Sequence, residues 1–144
     1  METMETIILK NLIQNEDYTR RVVPFLDEEY FKDRNERIVY TIIRDHIHKY
    51  NRSPNRDALI IALDDRGGMT EQSYKDTSII IKSITDTVDP VDNEWLMDQT
   101  EKFCKDKAVY NAILRSIEII DGKSKNETKN AIPNILSDAL AVSF

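Results

Sequence analysis

Few side chains in this sequence could bind a metal ion or activate a nucleophile. The two histidines, His46 and His48, are two positions apart, so on a helix they point to different sides and cannot share a metal as an i, i+4 pair can. Asp45 beside His46 raises the idea of a metal-dependent phosphohydrolase, but such a site needs further histidine ligands, which the chain lacks. We therefore interpret both histidines as core or surface residues and expect no metal site.

The remaining candidates for chemistry are two acidic pairs and one thiol. Glu28 with Glu29, and Asp64 with Asp65, are adjacent carboxylates of the kind that bind metals or act as acid and base. Placement at helix ends explains these acids more simply. Cys104 is the only cysteine, so it cannot form an internal disulfide, and we expect it to be a packing residue. No catalytic residue is predicted.

The glycines are too few for a nucleotide-binding P-loop. Such a loop needs glycines that let backbone N–H groups surround phosphate, followed by Lys and then Ser or Thr. The chain holds only Gly67, Gly68 and Gly122, and Gly122-Lys123-Ser124 lacks the upstream glycine. We therefore expect no ATP hydrolysis, no catalysis and no cofactor in this chain.

Composition favours protein partners over tight DNA binding. Twenty Lys and Arg against 26 Asp and Glu give a net charge of −6, which repels a phosphate backbone unless the basic residues share one face. A weak contact with DNA stays open because arginine suits phosphate geometry. The arginines in question are Arg20, Arg21, Arg34, Arg37, Arg44, Arg52 and Arg56. The sequence has neither a membrane-span pattern nor a signal-peptide pattern, so we expect a cytoplasmic protein without membrane contact.

The apolar pattern predicts an all-α fold. Only three glycines and four prolines occur, and apolar residues recur mostly at three-four spacing. Residues 1–90 are predicted to form a compact helical head of about five short helices. Their expected boundaries include Asn15, a helix from Asn35 to Tyr50, a restart at Ser53-Pro54, a cap at Thr70 and a break at Asp89-Pro90.

Residues 91–144 are predicted to form a long antiparallel helical hairpin that protrudes from the head. Leu96, Phe103, Tyr110 and Ile117 recur every seven residues and make one apolar seam on a helix from Asn93 to Ile120. After Gly122 and a single turn with a capping box at Ser124 to Glu127, Pro133 begins a second helix, from Ile132 to about Val142. At 1.5 Å per residue the first helix is roughly 40 Å long, which exceeds the width expected of the head.

Such a hairpin has more apolar surface than its two helices can cover, so we expect copies of the chain to associate through it. Trp95 is expected to anchor either the head or a neighbouring copy. The predicted subunit-interface residues are Trp95, Leu96, Phe103, Tyr110, Ile117, Ile132, Leu136 and Leu140. The alternative is a hairpin that folds flat on the head and buries the seam internally.

The order and spacing of these segments resemble the N-terminal domain of DnaB-type replicative helicases. The resemblance begins with Ile7 to Ile13, Val22-Val23-Pro24-Phe25-Leu26, Tyr30-Phe31, Ile38-Val39-Tyr40 and Ser53-Pro54 followed by Leu59 and Leu63. Glu94-Trp95-Leu96, Thr100-Glu101-Lys102-Phe103, Lys107-Ala108-Val109 and Ala131-Ile132-Pro133 are similar to the replicative helicases of T-even-type bacteriophages. Together the segments cover nearly the whole chain, from about Thr6 to Phe144.

The resemblance implies a role in DNA replication in the cytoplasm of an infected bacterial cell. In that family the head and hairpin pair between subunits and build the collar of a hexameric ring. The collar lies over an ATP-driven motor that encircles single-stranded DNA, and it meets the primase or the helicase loader of the primosome. The implied partners are therefore further copies, as a dimer, trimer or hexamer, together with primase and loader. ATP and Mg²⁺ would belong to the motor domain, which this chain lacks, so we expect an excised domain of a longer helicase.

Two other functions stay open from the residues alone. The Ser53 to Asp65 helix, the Gly67-Gly68 turn and the Thr70 to Thr85 helix superficially resemble the helix-turn-helix of a small DNA-binding regulator. The second of these helices offers few groups to a DNA groove, since its basic residues, Lys75 and Lys82, are offset by acids. A helical metal hydrolase is the third possibility and would show turnover that a chelator abolishes.

Overall fold

Helices make up nearly all of the regular structure in a computed structural model, which describes residues 2–86 and 90–144. The helices are α1 Met4–Gln14, α2 Glu16–Val22, α3 Arg34–Tyr50, α4 Arg56–Arg66, α5 Glu71–Thr85, α6 Asn93–Ile120 and α7 Ile132–Leu140. Short 3-10 turns lie at Val23–Phe25, Glu28–Tyr30 and Lys129–Ala131. These ranges contain no strand, and the predicted all-α fold is confirmed. None of the described helices has the length and hydropathy needed to cross a bilayer.

Side-chain caps set most helix starts at the predicted places. The Asn15 side chain accepts a hydrogen bond from the Tyr18 N–H and begins α2, which separates it from α1. The Thr70 hydroxyl accepts from the Ser73 N–H and begins α5 after the Gly67-Gly68 turn. Each of these bonds satisfies a backbone donor that has no partner within its own helix. Asp89 of the predicted Asp89-Pro90 break lies outside the described residues.

Two of the predicted caps are wrong. Helix α4 begins at Arg56 with Asn55 as its cap, whereas the Ser53 hydroxyl donates to the Leu12 carbonyl oxygen at 2.6 Å and ties the loop to α1. Ser124 to Glu127 forms no capping box; the single turn lies at Lys129–Ala131 instead. In both places a short local sequence motif predicted a cap. At Ser53 the hydroxyl is instead bonded to Leu12, which is distant in the sequence.

The core of the head is built around α3 and continues into the first half of α6. Helix α3 packs against α1, α4 and α5. The Phe31 ring stacks on Tyr40 of α3 with 4.8 Å between centroids and lies 6.1 Å from the Phe103 ring of α6. Fully enclosed members of this core include Ile8, Leu9, Leu12, Val39, Ile43, Leu59, Leu63, Ile81, Ile84, Leu96 and Cys104. The start of α6 is therefore part of the head's interior, and the predicted boundary at residue 90 stays a prediction.

One buried polar contact fixes α6 to α2. The hydroxyls of Tyr18 and Thr100 are hydrogen-bonded at 2.8 Å, and both residues are almost fully enclosed. Burial raises the pKa of the Tyr18 phenol, because an ionised phenolate is poorly solvated there. The hydrogen bond between the two hydroxyls therefore offsets the cost of removing both from water. Loss of either partner leaves the other hydroxyl buried without this bond.

Replacement of Thr100 by Val should lower the free energy of unfolding by about 1–3 kcal/mol, because the Tyr18 hydroxyl then stays buried without its partner. Urea denaturation followed by circular dichroism measures the change. Tyr18→Phe combined with Thr100→Val should cost less than the sum of the single changes, since no unpaired hydroxyl from this pair remains. Strictly additive losses would show that the two hydroxyls are not coupled.

Candidate functional site

Most of the fully buried residues of the hairpin of α6 and α7 are small. Ala112, Ser116 and Ile119 of α6 and Ala139 of α7 are buried but lie outside the core of the head. Ser116 turns its hydroxyl inward, to the Ala112 carbonyl oxygen at 2.8 Å, so its side chain needs no further partner. Small residues allow two helix backbones to approach closely.

The turn between the helices is closed by backbone and ionic contacts. Gly122 adopts a left-handed conformation with φ of 75°, and the Lys123 N–H donates to the Glu118 carbonyl oxygen at 2.9 Å. This pairing satisfies a carbonyl at the end of α6, as is typical of a glycine-terminated helix. Arg115 forms a salt bridge with Glu127 on the returning segment, which raises the pKa of the guanidinium. The turn thus directs the chain back along α6.

Three contacts join the second half of the hairpin to the head. The Asn111 side chain donates to the Glu29 carbonyl oxygen at 3.3 Å, and the Lys32 ammonium lies 5.8 Å from the Tyr110 ring centre. Near the end of the chain, the Phe144 ring stacks on Phe25 at 4.7 Å. These contacts support one side of the hairpin and leave another side of α6 open.

That open side carries a row of large apolar residues, which we call the outer stripe. It consists of Tyr110, Ile113, Leu114, Ile117 and Ile120, each between 43% and 58% exposed. At 100° per residue they fall within about 120° of the helix circumference, on the side of α6 next to the buried strip of Ala112, Ser116 and Ile119. The outer stripe is therefore a half-exposed apolar face, which the Lys32 side chain approaches at Tyr110.

The structure separates the predicted interface residues into three groups. Leu96 and Phe103 are enclosed by the head, so their burial needs no second copy. Tyr110 and Ile117 belong to the outer stripe. The other four lie elsewhere on the hairpin: Trp95 and Leu140 are exposed, and Ile132 and Leu136 are partly buried. The heptad seam is thus continuous in sequence but faces the head in its first half and solvent in its second.

Three members of the outer stripe were not among the predicted interface residues. Ile113, Leu114 and Ile120 are three or four positions from Tyr110 and Ile117, which places them on the same side of α6. The sequence does show that α6 becomes more widely apolar in its second half. A strict seven-residue repeat selects only one row of that face, so the neighbouring rows were left out.

The candidate metal and acid–base residues have ordinary structural surroundings. The Glu28 carboxylate accepts from Arg44 at 3.3 Å, and the Asp64 carboxylate accepts from the Tyr74 hydroxyl. The His46 ring packs against Tyr50 with 4.7 Å between centroids. Within the described ranges, no three His, Cys, Asp or Glu side chains are grouped closely enough to hold a metal ion.

The arginines are distributed over several surfaces and some are already paired. Arg56 donates to the Thr85 hydroxyl, the Lys82 carbonyl oxygen and the Asp86 carboxylate, so it links α4 to the end of α5. Arg20 pairs with Glu16 within α2. Because these guanidinium groups bond within the chain, they are less available to DNA phosphates.

Comparison with known proteins agrees with the resemblance seen in the sequence. The chain is 33% identical over 149 aligned positions to a DnaB-like replicative helicase of Enterobacteria phage T4. The match covers 98% of this chain and 31% of that helicase. The chain is a relative of DnaB-like replicative helicases. It spans about a third of the phage helicase's length, which is consistent with the predicted N-terminal domain. No protein-family model matches the chain.

In this DnaB-like chain Cys104 lies in the core of the head, as a packing residue would. It is fully enclosed, and burial raises the pKa of its thiol to about 12, with a smaller contribution from the Glu101 carboxylate. A neutral, enclosed thiol is a poor nucleophile, since the thiolate is the reactive form. The geometry therefore gives Cys104 no chemical role in the folded chain.

We expect the Cys104 thiol to react with an alkylating reagent at neutral pH only after unfolding, as mass spectrometry would show. In the unfolded chain the thiol loses its proton near its ordinary pKa of 9.0, whereas the folded chain retains it up to about 12. The free energy of unfolding should therefore fall as pH rises through this range. Cys104→Ala should reduce that dependence. Rapid alkylation of the native chain, with no loss of helicity, would contradict the assignment.

Proposed function

We propose that this chain is the collar domain of a phage replicative helicase, a domain without catalysis that assembles copies into a ring. The observation that supports the proposal is the outer stripe. It is a row of five large apolar residues on a helix that also packs on α7 through a neighbouring side. Relationship to a DnaB-like replicative helicase supplies the biological setting. An apolar helix face exposed to water is stabilised by contact with another apolar face.

The size of the outer stripe indicates how strong such contact is. Five half-exposed side chains leave on the order of 400 Å² of apolar surface, which is within the size range of the largest apolar patch on a typical monomeric protein, a patch that is often functional. Two copies facing each other would bury about 800 Å², less than the roughly 1,200 Å² at the low end of stable interfaces. Self-association through the stripe alone is therefore weak. Further contacts from Leu140 or Trp95, or the closure of a ring, would be needed for a stable assembly.

The finer parts of the proposal follow from the family. The expected oligomer is a dimer, a trimer or a hexameric ring in the cytoplasm of an infected bacterial cell. The collar would present a surface to primase or to the helicase loader, and single-stranded DNA would pass through the parent ring. ATP and Mg²⁺ would act in the motor domain of the parent helicase, with no cofactor held by this chain.

The alternative function as a helix-turn-helix regulator has less support. The exposed residues of α5 include Glu71 and Ile79 beside Lys75 and Lys82, and Asp76 is partly exposed, so the helix presents mixed charge to a DNA groove. Specific base contacts come from arginine, lysine, asparagine or glutamine side chains, few of which this helix offers. The collar is therefore the function we favour.

Replacement of Tyr110 by Glu should weaken self-association by roughly tenfold or more, because it places a charge in the middle of the outer stripe. Circular dichroism should be unchanged, since Tyr110 is half exposed. Phe103→Glu should instead lower the melting temperature, because that ring packs in the core against Phe31. Sedimentation equilibrium over a range of concentrations measures the association.

The matched control is Ile79→Glu, which changes an exposed isoleucine of the head. It should leave association unchanged. An unmodified chain that stays monomeric at the highest accessible concentration would argue against self-assembly through this region. Equal loss of association in the Tyr110 and Ile79 variants would also count against the outer stripe, since a general charge effect would then explain both.

A further inference from the structure

A second exposed apolar surface lies on the head, between α3 and α4, and we call it the α3–α4 groove. It is open to solvent and has a volume of about 780 Å³. Ile42, Ala58 and Ala62 are less exposed than Ile61 and Tyr50, which also line it. None of its lining residues belongs to the hairpin, so the groove is separate from the outer stripe.

The groove exists because the side chains that face it from α4 are small. Ala58 and Ala62 are one helical turn apart, which puts them on the same side of α4. Larger residues there would fill the space between the two helices. Ile61 stays 60% exposed beside the gap, which is costly for an isoleucine unless another apolar group covers it. From Ala58 to Arg66 the groove follows α4 for about 12 Å, or a little over two helical turns.

The charges around the groove are mainly positive, in a chain whose net charge is −6. Lys49 and Arg52 lie near the connection between the helices, and Arg66 lies at the far end of α4. None of these three cations forms an ion pair within the described ranges. Of the two lining acids, Asp45 is bonded by Arg44 at 3.2 Å, so its charge is already balanced within the chain. The other acid is Asp65, next to Arg66, so the lining holds three cations and two acids.

We propose that the α3–α4 groove binds an amphipathic helical segment of another protein, with apolar side chains on one face and acidic residues at both ends. Two or three bulky side chains spaced i, i+3 and i+7 would cover about 10 Å, which matches the apolar length of the groove. The acidic ends would meet Lys49 and Arg52 at one end and Arg66 at the other. This surface does not depend on self-assembly, so its test is separate from that of the collar.

Single-stranded nucleic acid is the competing occupant, because the groove combines cations with the Tyr50 ring. Although Tyr50 is 56% exposed, its ring already has two neighbours: the Lys49 ammonium lies 5.3 Å from its centre, and the His46 ring packs against it. A stacking platform for bases needs a free aromatic face. The aliphatic floor also favours a peptide with apolar side chains over a phosphate backbone.

The test uses three fluorescein-labelled probes with the isotope-labelled 144-residue chain. They are an amphipathic leucine helix with glutamates at both ends, the same peptide with lysines in place of the glutamates, and a thymidine oligonucleotide of similar length. Fluorescence anisotropy should show binding of the acidic peptide and at least about tenfold weaker binding of the basic one. Amide NMR shifts should concentrate at Ala58, Ile61 and Ala62.

Ile61→Ser should weaken binding of the acidic peptide by roughly tenfold, the effect of losing one buried aliphatic side chain. Ile79→Ser is the matched control, since Ile79 is similarly exposed at 64% but does not line the groove. Both variants should keep the melting temperature of the unmodified chain. Equal binding of the two peptides, shifts centred on the outer stripe, equal effects of the two variants, or preferential binding of the oligonucleotide would each overturn the proposal.

Discussion

The length of one helix governs the architecture of this chain. Helix α6 has 28 residues, so it extends about 42 Å, whereas a small domain is about 30 Å across. One helix must therefore lie in two environments. Its first half is enclosed by the head, where Leu96 and Thr100 are fully buried, and this burial fixes the direction in which the second half leaves. The second half has only α7 and a few contacts with the head to cover it, which leaves one side in water.

The distribution of side-chain size over α6 decides which side that is. The buried strip in this half of α6 carries Ala112 and Ser116 with a single bulky residue, Ile119, whereas the neighbouring outer stripe consists of bulky residues only. A hairpin that had to be stable alone would place its largest side chains between its helices, where their burial contributes most. Here three of the four residues buried in the hairpin are small, so their burial contributes less than the burial of large side chains would. The apolar surface outside is thus available for contact with another molecule.

Helix periods were predictable from the sequence, but their surroundings were not. The seven-residue repeat correctly predicted a single helix from Asn93 to Ile120, because periodicity reports which residues share a face. It contains no information about what lies opposite that face, so Leu96 and Ile117 looked equivalent although the head covers only the first.

Ser53 was wrongly assigned as a cap because its bond to the Leu12 carbonyl joins residues 41 positions apart. The α3–α4 groove was missed for a related reason: two alanines on a helix suggest close packing and do not reveal a gap.

Charge distinguishes the two exposed apolar surfaces of the molecule. The outer stripe is made of uncharged side chains, whereas cations stand at both ends of the α3–α4 groove. Copies of a chain with net charge −6 repel one another at long range, so self-association requires a surface where apolar contact outweighs that repulsion. An acidic segment that reaches the groove meets three lining cations and two lining acids, one of which is already paired with Arg44. Because the outer stripe and the groove share no residue, contact between copies and contact with an acidic partner would not compete for the same side chains.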